Sequence, residues 1–266
     1  MKYAIAVWNY CWDAAKLPGW ISEFADAGFD AISLNAGQFA AAAAGHLPGV
    51  VEALRGRNLV ATVHGSAAMD AAVMEFLVRG LGDNLAVFSM DSVLREDSRG
   101  QLHDAGRDAA ALGRLQELTE GTQVRLAIED FPLDTAALEF FAADLGRVYP
   151  HPRTGVLVDV GHMHMRMKGA GAFGGMSIGE YFRRLPLAPV EIHLHDNDGL
   201  KDQHGHFGFG SVPFEEVAAA LGELAFDGVC TIEVAPGFHG RTPLESKVDA
   251  IRSMERWREL MSARSC

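Results

Sequence analysis

The sequence predicts an α/β fold: one domain over residues 1–266, closed as a single (β/α)8 barrel with its active site at the C-terminal ends of the strands. Three observations lead there. Eight short apolar segments alternate with eight amphipathic stretches along 266 residues, close to the ~250 that a barrel of eight strand–helix units takes. No linker of Ser, Gly and Pro interrupts the alternation. Four of the later segments end on a residue able to bind a metal, about one strand-plus-helix unit apart: Glu129, Asp159, His193 and Glu233.

Strands are expected near 3–8, 30–35, 59–64, 85–90, 125–129, 155–159, 190–195 and 228–233. Each is short, rich in Val, Ile and Leu, and apolar nearly throughout, as strands covered on both faces should be. Helices are expected near 15–28, 46–57, 66–81, 104–119, 134–147, 176–184, 213–225 and 243–262. Asp134 suits the cap of one and Pro213 the first turn of another, while Gly28, Gly56, Gly80 and Gly121 fall where helices should stop. A doubly wound open sheet is the alternative, but no G-x-G-x-x-G follows the first strand. Two connections are long, 159–176 and 195–212, and each follows a strand that carries a candidate ligand. Long connections in compact domains usually serve function, here as the rim of the site.

Composition narrows the chemistry. With 23 basic and 35 acidic residues the net charge is −12, and no basic stripe is present to displace counterions from phosphates, which argues against nucleic acid. No apolar run is long enough to span a membrane, and residues 1–10 read as a first strand rather than a secretory signal. Cys11, Cys230 and Cys266 are odd in number and lack metal-site spacing, which suits a reducing, cytoplasmic setting.

Three carboxylates and one imidazole form a donor set for a hard divalent cation, with room for two substrate oxygens. Such a cation polarises a carbonyl and acidifies the adjacent C–H. A lone Glu at a strand end is usually solvated and a lone Asp often caps a helix, but four such groups at consecutive strand ends exceed what capping explains. The segment 193–210 is densest in chemistry, with His193, His195, Asp196, Asp202 and His204 ahead of Gly208 and Gly210. Asp202 and His204 suit a second metal or substrate hydroxyls, and Asp198-Gly199 reads as an Asx turn.

Asp159-Val-Gly-His162, His193-Leu-His-Asp196 with Asp202-x-His204-x-x-x-Gly208-x-Gly210, and Ile232-Glu233 together resemble the xylose isomerase-like TIM-barrel superfamily. It includes sugar and sugar phosphate isomerases and epimerases, inosose dehydratases and AP endonucleases. The resemblance is loose over the whole barrel and close over residues 125–235. It implies that Glu129, Asp159, His193 and Glu233 hold a divalent metal, with Mn, Mg or Co ahead of Zn. It also implies that Glu129 and Glu233 carry a proton on and off opposite faces of a substrate through a cis-enediolate. His193 rather than His195 takes the ligand position, and His162 matches a histidine that meets substrate oxygen or, in the nucleases, zinc. His64 matches a nuclease histidine ligand on the third strand, whereas Leu85–Met90 offers no histidine on the fourth. The epimerases carry an Arg about six residues past the metal histidine; Gly199 stands there, with Lys201 as the nearby cation.

The expected activity is a metal-dependent isomerase or epimerase of a small sugar or polyol. A lyase of the inosose dehydratase kind, a zinc-dependent AP endonuclease or phosphodiesterase, and a barrel that binds without turnover are the alternatives. Homo-oligomer formation is left open. Among smaller signals, Trp8 is the best aromatic wall for a sugar, ahead of Tyr10 and Trp12. Met163, Met165, Met167 and Met176 flank a Gly-rich run that reads as a mobile loop over the site. His46, His103, His151 and His239 read as surface or capping residues.

Overall fold

Eight parallel strands close on themselves in a barrel, and the register between them sets the site. The structure is a computed structural model that describes residues 1–39, 43–92, 94–97, 100–103, 105–129, 153–169, 174–185 and 187–263. The strands are β1 (Lys2–Ala6), β2 (Ala31–Asn35), β3 (Val60–Ser66), β4 (Leu85–Asp91), β5 (Leu94–Asp97), β6 (Gly100–His103), β7 (Arg125–Glu129), β8 (Thr154–Asp159), β9 (Pro189–Leu194) and β10 (Val229–Ile232). The closed order is β1-β10-β9-β8-β7-β4-β3-β2. The antiparallel pair β5–β6 stands outside the barrel, and the apolar pattern gave no sign of it.

The described α-helices are α1 (Leu17–Asp26), α2 (Leu47–Gly56), α3 (Ala71–Leu81), α4 (Ala105–Leu118), α5 (Val160–Lys168), α6 (Ile178–Arg184), α7 (Phe214–Glu223) and α8 (Pro243–Ser262). Gly28 and Gly121, at φ 92° and 74°, follow α1 and α4 as helix stops. Gly80 instead lies inside α3, and Gly82, at φ 52°, ends that helix. Pro213 is the residue before α7 rather than within its first turn. The longest helix, α8, opens on a capping box between Thr242 and Glu245 with Pro243 behind it. The helix expected at 134–147, its cap Asp134, His151 and Cys266 lie outside the described residues.

The connection 159–176 is not a loop from its start. Asp159 Oδ1 accepts the His162 N–H at 2.7 Å, and this cap launches α5 directly from the end of β8. Met163 is fully buried on that helix, which replaces the mobile loop expected as far as Lys168.

Core packing follows the period of two along each strand. Phe24, Leu54, Leu77, Leu112, Val217 and Trp257 pack between helices and barrel. Inside, Ala4, Ala31, Val87, Ala127, Leu157 and Val229 form a floor of mostly small apolar side chains. Two residues further along several strands the interior turns polar, with Ser33, Thr62, Ser89, Glu191 and Thr231 all fully buried. Thr62 donates to Ser33 at 2.7 Å, and Thr231 donates to Glu191 at 2.9 Å. Above that layer the strand ends open onto the candidate site.

Candidate active site

Register brings the expected ligands to one level. Asp159 and His193 are direct partners across β8 and β9, while Glu129 pairs with Leu157. Thr231 pairs with His193, so Glu233 emerges two residues beyond on the same face of β10. All four side chains are buried at the barrel mouth.

Asp159, His193 and Glu233 present ligand atoms within 4.8 Å of one another. His193 Nδ1 lies 3.0 Å from Glu233 Oε2. Glu129 stands in a different group with Asp159 and His162, its Oε1 being 3.0 Å from His162 Nδ1. The four residues therefore fall into two triads that share Asp159, one of them completed by His162, rather than one set of four. Glu129 is drawn aside by His162 and by His64, whose Nε2 is 3.7 Å from its other oxygen.

Two further groups flank these. His162, His195, Asp202 and His204 converge on one side. Asp202 Oδ2 lies 3.3 Å from His162 Nε2 and 3.1 Å from His204 Nε2. His195 is buried beside them, with Nε2 3.1 Å from Asp159 Oδ1 and its ring stacked on His204 at 4.1 Å. A Cβ at Gly161 would overlap the His195 ring, so glycine at that place admits the imidazole. His195 thus packs against the site through Asp159.

On the other side His64, Asp91 and Glu129 form a group in which the fourth strand supplies a carboxylate rather than the histidine of the nuclease pattern. β4 does end on a ligand-type residue. The ladder with β3 continues to Ser66–Asp91, one residue past the expected end, and places Asp91 Oδ1 3.1 Å from His64 Nε2. Sequence reasoning stopped at Met90. The signal available was that Asp91 continues the Val87, Ser89 face.

The loop after β9 is folded around Asp196. Its buried carboxylate accepts the N–H groups of Gly208 and Gly210 at 2.9 Å and of Val212 at 3.0 Å. Asp196 and Gly205 also exchange backbone hydrogen bonds at 2.8 Å. A Cβ at Gly210 would overlap the Asn197 backbone, while Gly208 holds φ 86°, so the two spaced glycines serve different needs. Asp198 Oδ1 accepts from Leu200 at 2.8 Å, the expected Asx turn. His204 holds φ 44°, uncommon for a residue with a side chain, and is anchored by its carbonyl to Ala235 N–H and by Nδ1 beside Glu233 O.

Imidazoles and carboxylates alternate through this site and shift one another. Burial disfavours a charged His193, but Glu233 and Glu191 outweigh it and hold its pKa well above the usual value. Burial raises Glu233, yet His193 and His204 bring it down to about 2. Against burial, Asp159, Asp202 and Glu129 lift His162 to about 12. Burial and the nearby Asp91 charge push Glu129 up to about 7, against the pull of His162. Burial likewise opposes charge on His64 and His204, but Asp91 beside the first and Glu233 with Asp202 beside the second raise each to about 9. A divalent cation would take the place of these imidazolium protons with the same nitrogens and oxygens, so the donor chemistry fits one.

Trp8 stacks on His64 with ring centroids 5.9 Å apart, forming one wall. Tyr10 is a core residue whose hydroxyl donates to Val234 O at 2.9 Å, and Trp12 is exposed. Lys201 is exposed on the Asp196 loop. His46 is exposed next to α2, and His239 packs edge-on against Phe209.

The family profile described as xylose isomerase-like TIM barrel matches residues 21–260. Among curated proteins, an uncharacterised protein of Methanocaldococcus jannaschii is 25% identical over 127 residues, 47% of this chain and 41% of that protein. Fructoselysine 3-epimerase of Escherichia coli O157:H7 is 24% identical over 159 residues, 59% of this chain and 54% of that protein. The chain thus spans about half the length of the curated relatives it matches. D-psicose 3-epimerase from Clostridium cellulolyticum H10, solved with D-tagatose, superposes with a TM-score of 0.71 at 14% identity over 99% of both chains. The IolI protein, solved with a zinc atom, gives 0.66 at 15% identity over 99% of both chains. At such identities the structural likeness is one of fold, and no helix of the described residues is long and apolar enough to cross a membrane. With the profile matched from residue 21 to residue 260, on a closed eight-stranded parallel barrel, the chain belongs to the xylose isomerase-like TIM barrel family.

Proposed function

We propose that this protein is a divalent-metal-dependent epimerase or isomerase of a small sugar or polyol. The observation that carries the reading is the placement of Glu129 and Glu233 in separate triads that share Asp159. Asp159, His193, Glu233 and Glu129 would hold the cation, Mn, Mg or Co ahead of Zn. When bound there, a divalent cation polarises a substrate carbonyl and acidifies the neighbouring C–H.

The protein's own groups do the rest. One glutamate takes the proton from the carbon beside the carbonyl, and the other returns a proton from the opposite side. His162, bridging Glu129 through Nδ1 and Asp202 through Nε2, sets the position of the first carboxylate. Trp8 supplies a flat face for the apolar side of a sugar ring. Asp202, His204 and Lys201 stand on the loop after β9, where they meet hydroxyl groups. The epimerase names among the relatives support this assignment.

The test is a screen of ketoses, inososes and small hydroxy-carbonyl acids in D₂O, followed by NMR. Solvent deuterium at the carbon that inverts or exchanges its hydroxyl is the expected result. Loss of that hydroxyl as water would replace the isomerase with a lyase.

One set of contacts favours a second reading. His64–Asp91–Glu129 and His162–Asp202–His204 flank the central triad, a layout that suits several metal ions and a hydrolysed phosphoester. Elemental analysis separates the two readings: one ion per chain is expected for the isomerase, three zinc ions for the hydrolase.

A further inference from the structure

A carboxylate lies beneath the site, inside the barrel, where a charge is costly unless paired. Glu191 is fully buried on β9, two residues before His193 and on the same face. Its Oε1 accepts the Thr231 hydroxyl at 2.9 Å, and the same oxygen lies 3.6 Å from His193 Nε2. Two buried polar atoms at this place have no hydrogen-bond partner among the described residues, Glu191 Oε2 and His193 Nε2. One can only accept and the other can donate, and they belong to side chains already facing each other. The opposite nitrogen of the ring, Nδ1, faces Glu233.

We propose that Glu191 is a positioning residue that holds His193 as its Nε2–H tautomer, so that the Nδ1 lone pair is turned to the metal position. The proposal rests on His193 being a metal ligand, as assigned above. A ring nitrogen protonated toward a carboxylate leaves the other free to ligate, and the nearby negative charge makes that nitrogen a better donor. Thr231 completes the device by fixing the carboxylate through a hydroxyl on the neighbouring strand. Such a role accounts for a glutamate in the middle of an otherwise apolar strand, Val190-Glu191-Ile192, where helix capping and solvation do not apply.

Nitrogen-15 histidine NMR of the full chain loaded with zinc, as a diamagnetic probe, reads the tautomer directly. The expected result is His193 protonated on Nε2, with a metal-shifted Nδ1. Chelator competition then compares wild type with Glu191→Gln, Thr231→Val and His193→Ala. Glu191→Gln should weaken zinc affinity about 10- to 100-fold while keeping the ion count, with the His193 resonances showing mixed tautomers. Thr231→Val should weaken it less and in the same direction, and it keeps the test open should Glu191→Gln fail to fold. His193 protonated on Nδ1 in the loaded wild type would overturn the proposal. So would unchanged affinity in both the Glu191 and Thr231 variants while His193→Ala loses zinc, which leaves the metal assignment standing. Full affinity in His193→Ala would instead bring down the metal assignment itself, and the role of Glu191 with it.

Discussion

Asp91 and His64 meet across the ends of β4 and β3, with Oδ1 and Nε2 3.1 Å apart. Burial disfavours the Asp91 anion, but the His64 imidazolium holds its carboxyl below the usual range. On the proposed one-ion reading, this pair lies beside the central triad and holds no ion of its own. Asp91→Asn should therefore leave the ion count at one per chain and cost kcat/KM less than about tenfold, the range of an interaction outside the reacting atoms. Elemental analysis and steady-state kinetics check it, and loss of an ion would favour the hydrolase.

Metal loading should release protons at neutral pH. His193 keeps its proton between Glu233 and Glu191 in the metal-free protein, since its pKa is raised. A ligating imidazole must be neutral, so one ion should expel about one proton from His193 and a fraction of one from Glu129. Recruiting His64, His162 and His204 as well would bring the total to about four. Calorimetry in two buffers of different ionisation enthalpy gives the count, and affinity should fall as pH falls.

The metal-free protein should be most stable in mildly acidic solution. Glu233 is lowered from 4.5 to about 2, so its contribution is present above about pH 4.5 and is lost as pH falls through 2. His64 and His204 are raised from 6.5 to about 9, so their contributions are present below about pH 6.5 and are lost as pH rises through 9. Glu129, raised to about 7, is eroded from about pH 4.5 upward and adds to the alkaline limb. Thermal unfolding against pH should peak between about 4.5 and 6.5, and saturating metal should flatten the alkaline side.

The loop after β9 depends on Asp196. Replacing it with alanine leaves four loop N–H groups, those of Asn197, Gly208, Gly210 and Val212, without their acceptor. The expected cost is about 2–4 kcal/mol of unfolding free energy, measured by denaturant titration. Asp202 and His204 should lose their fixed positions first, so KM should rise more than kcat falls.

Much of this was readable in one dimension. Glu129, Asp159, His193 and Glu233 announced themselves because each ends an apolar strand, and parallel register brings strand ends to one level. Asp159 is both a helix cap and a member of two triads, so capping does not remove it from the candidate site. What escaped was set by small shifts of register and by burial. Asp91 belongs to the site because β4 runs one residue longer than its apolar core. Glu191 sits at mid-strand, and only closure of the barrel puts it beneath His193 and beside Thr231. Helix α5 was hidden by its polar, Met-rich sequence and by a start that depends on one cap.

Solvent exchange in the metal-loaded enzyme reports on Glu129 and Glu233 as the two proton carriers. Glu129→Gln and Glu233→Gln are each incubated with the substrate found in the D₂O screen, and deuterium at the carbon beside the carbonyl is followed by NMR. Each variant should retain its metal and lose epimerisation by about 10²–10⁴-fold, the usual contribution of a positioned acid or base. The glutamate that remains should still exchange its own proton with solvent. Wild-type exchange and turnover in Glu233→Gln, with metal bound, would contradict the two-glutamate mechanism.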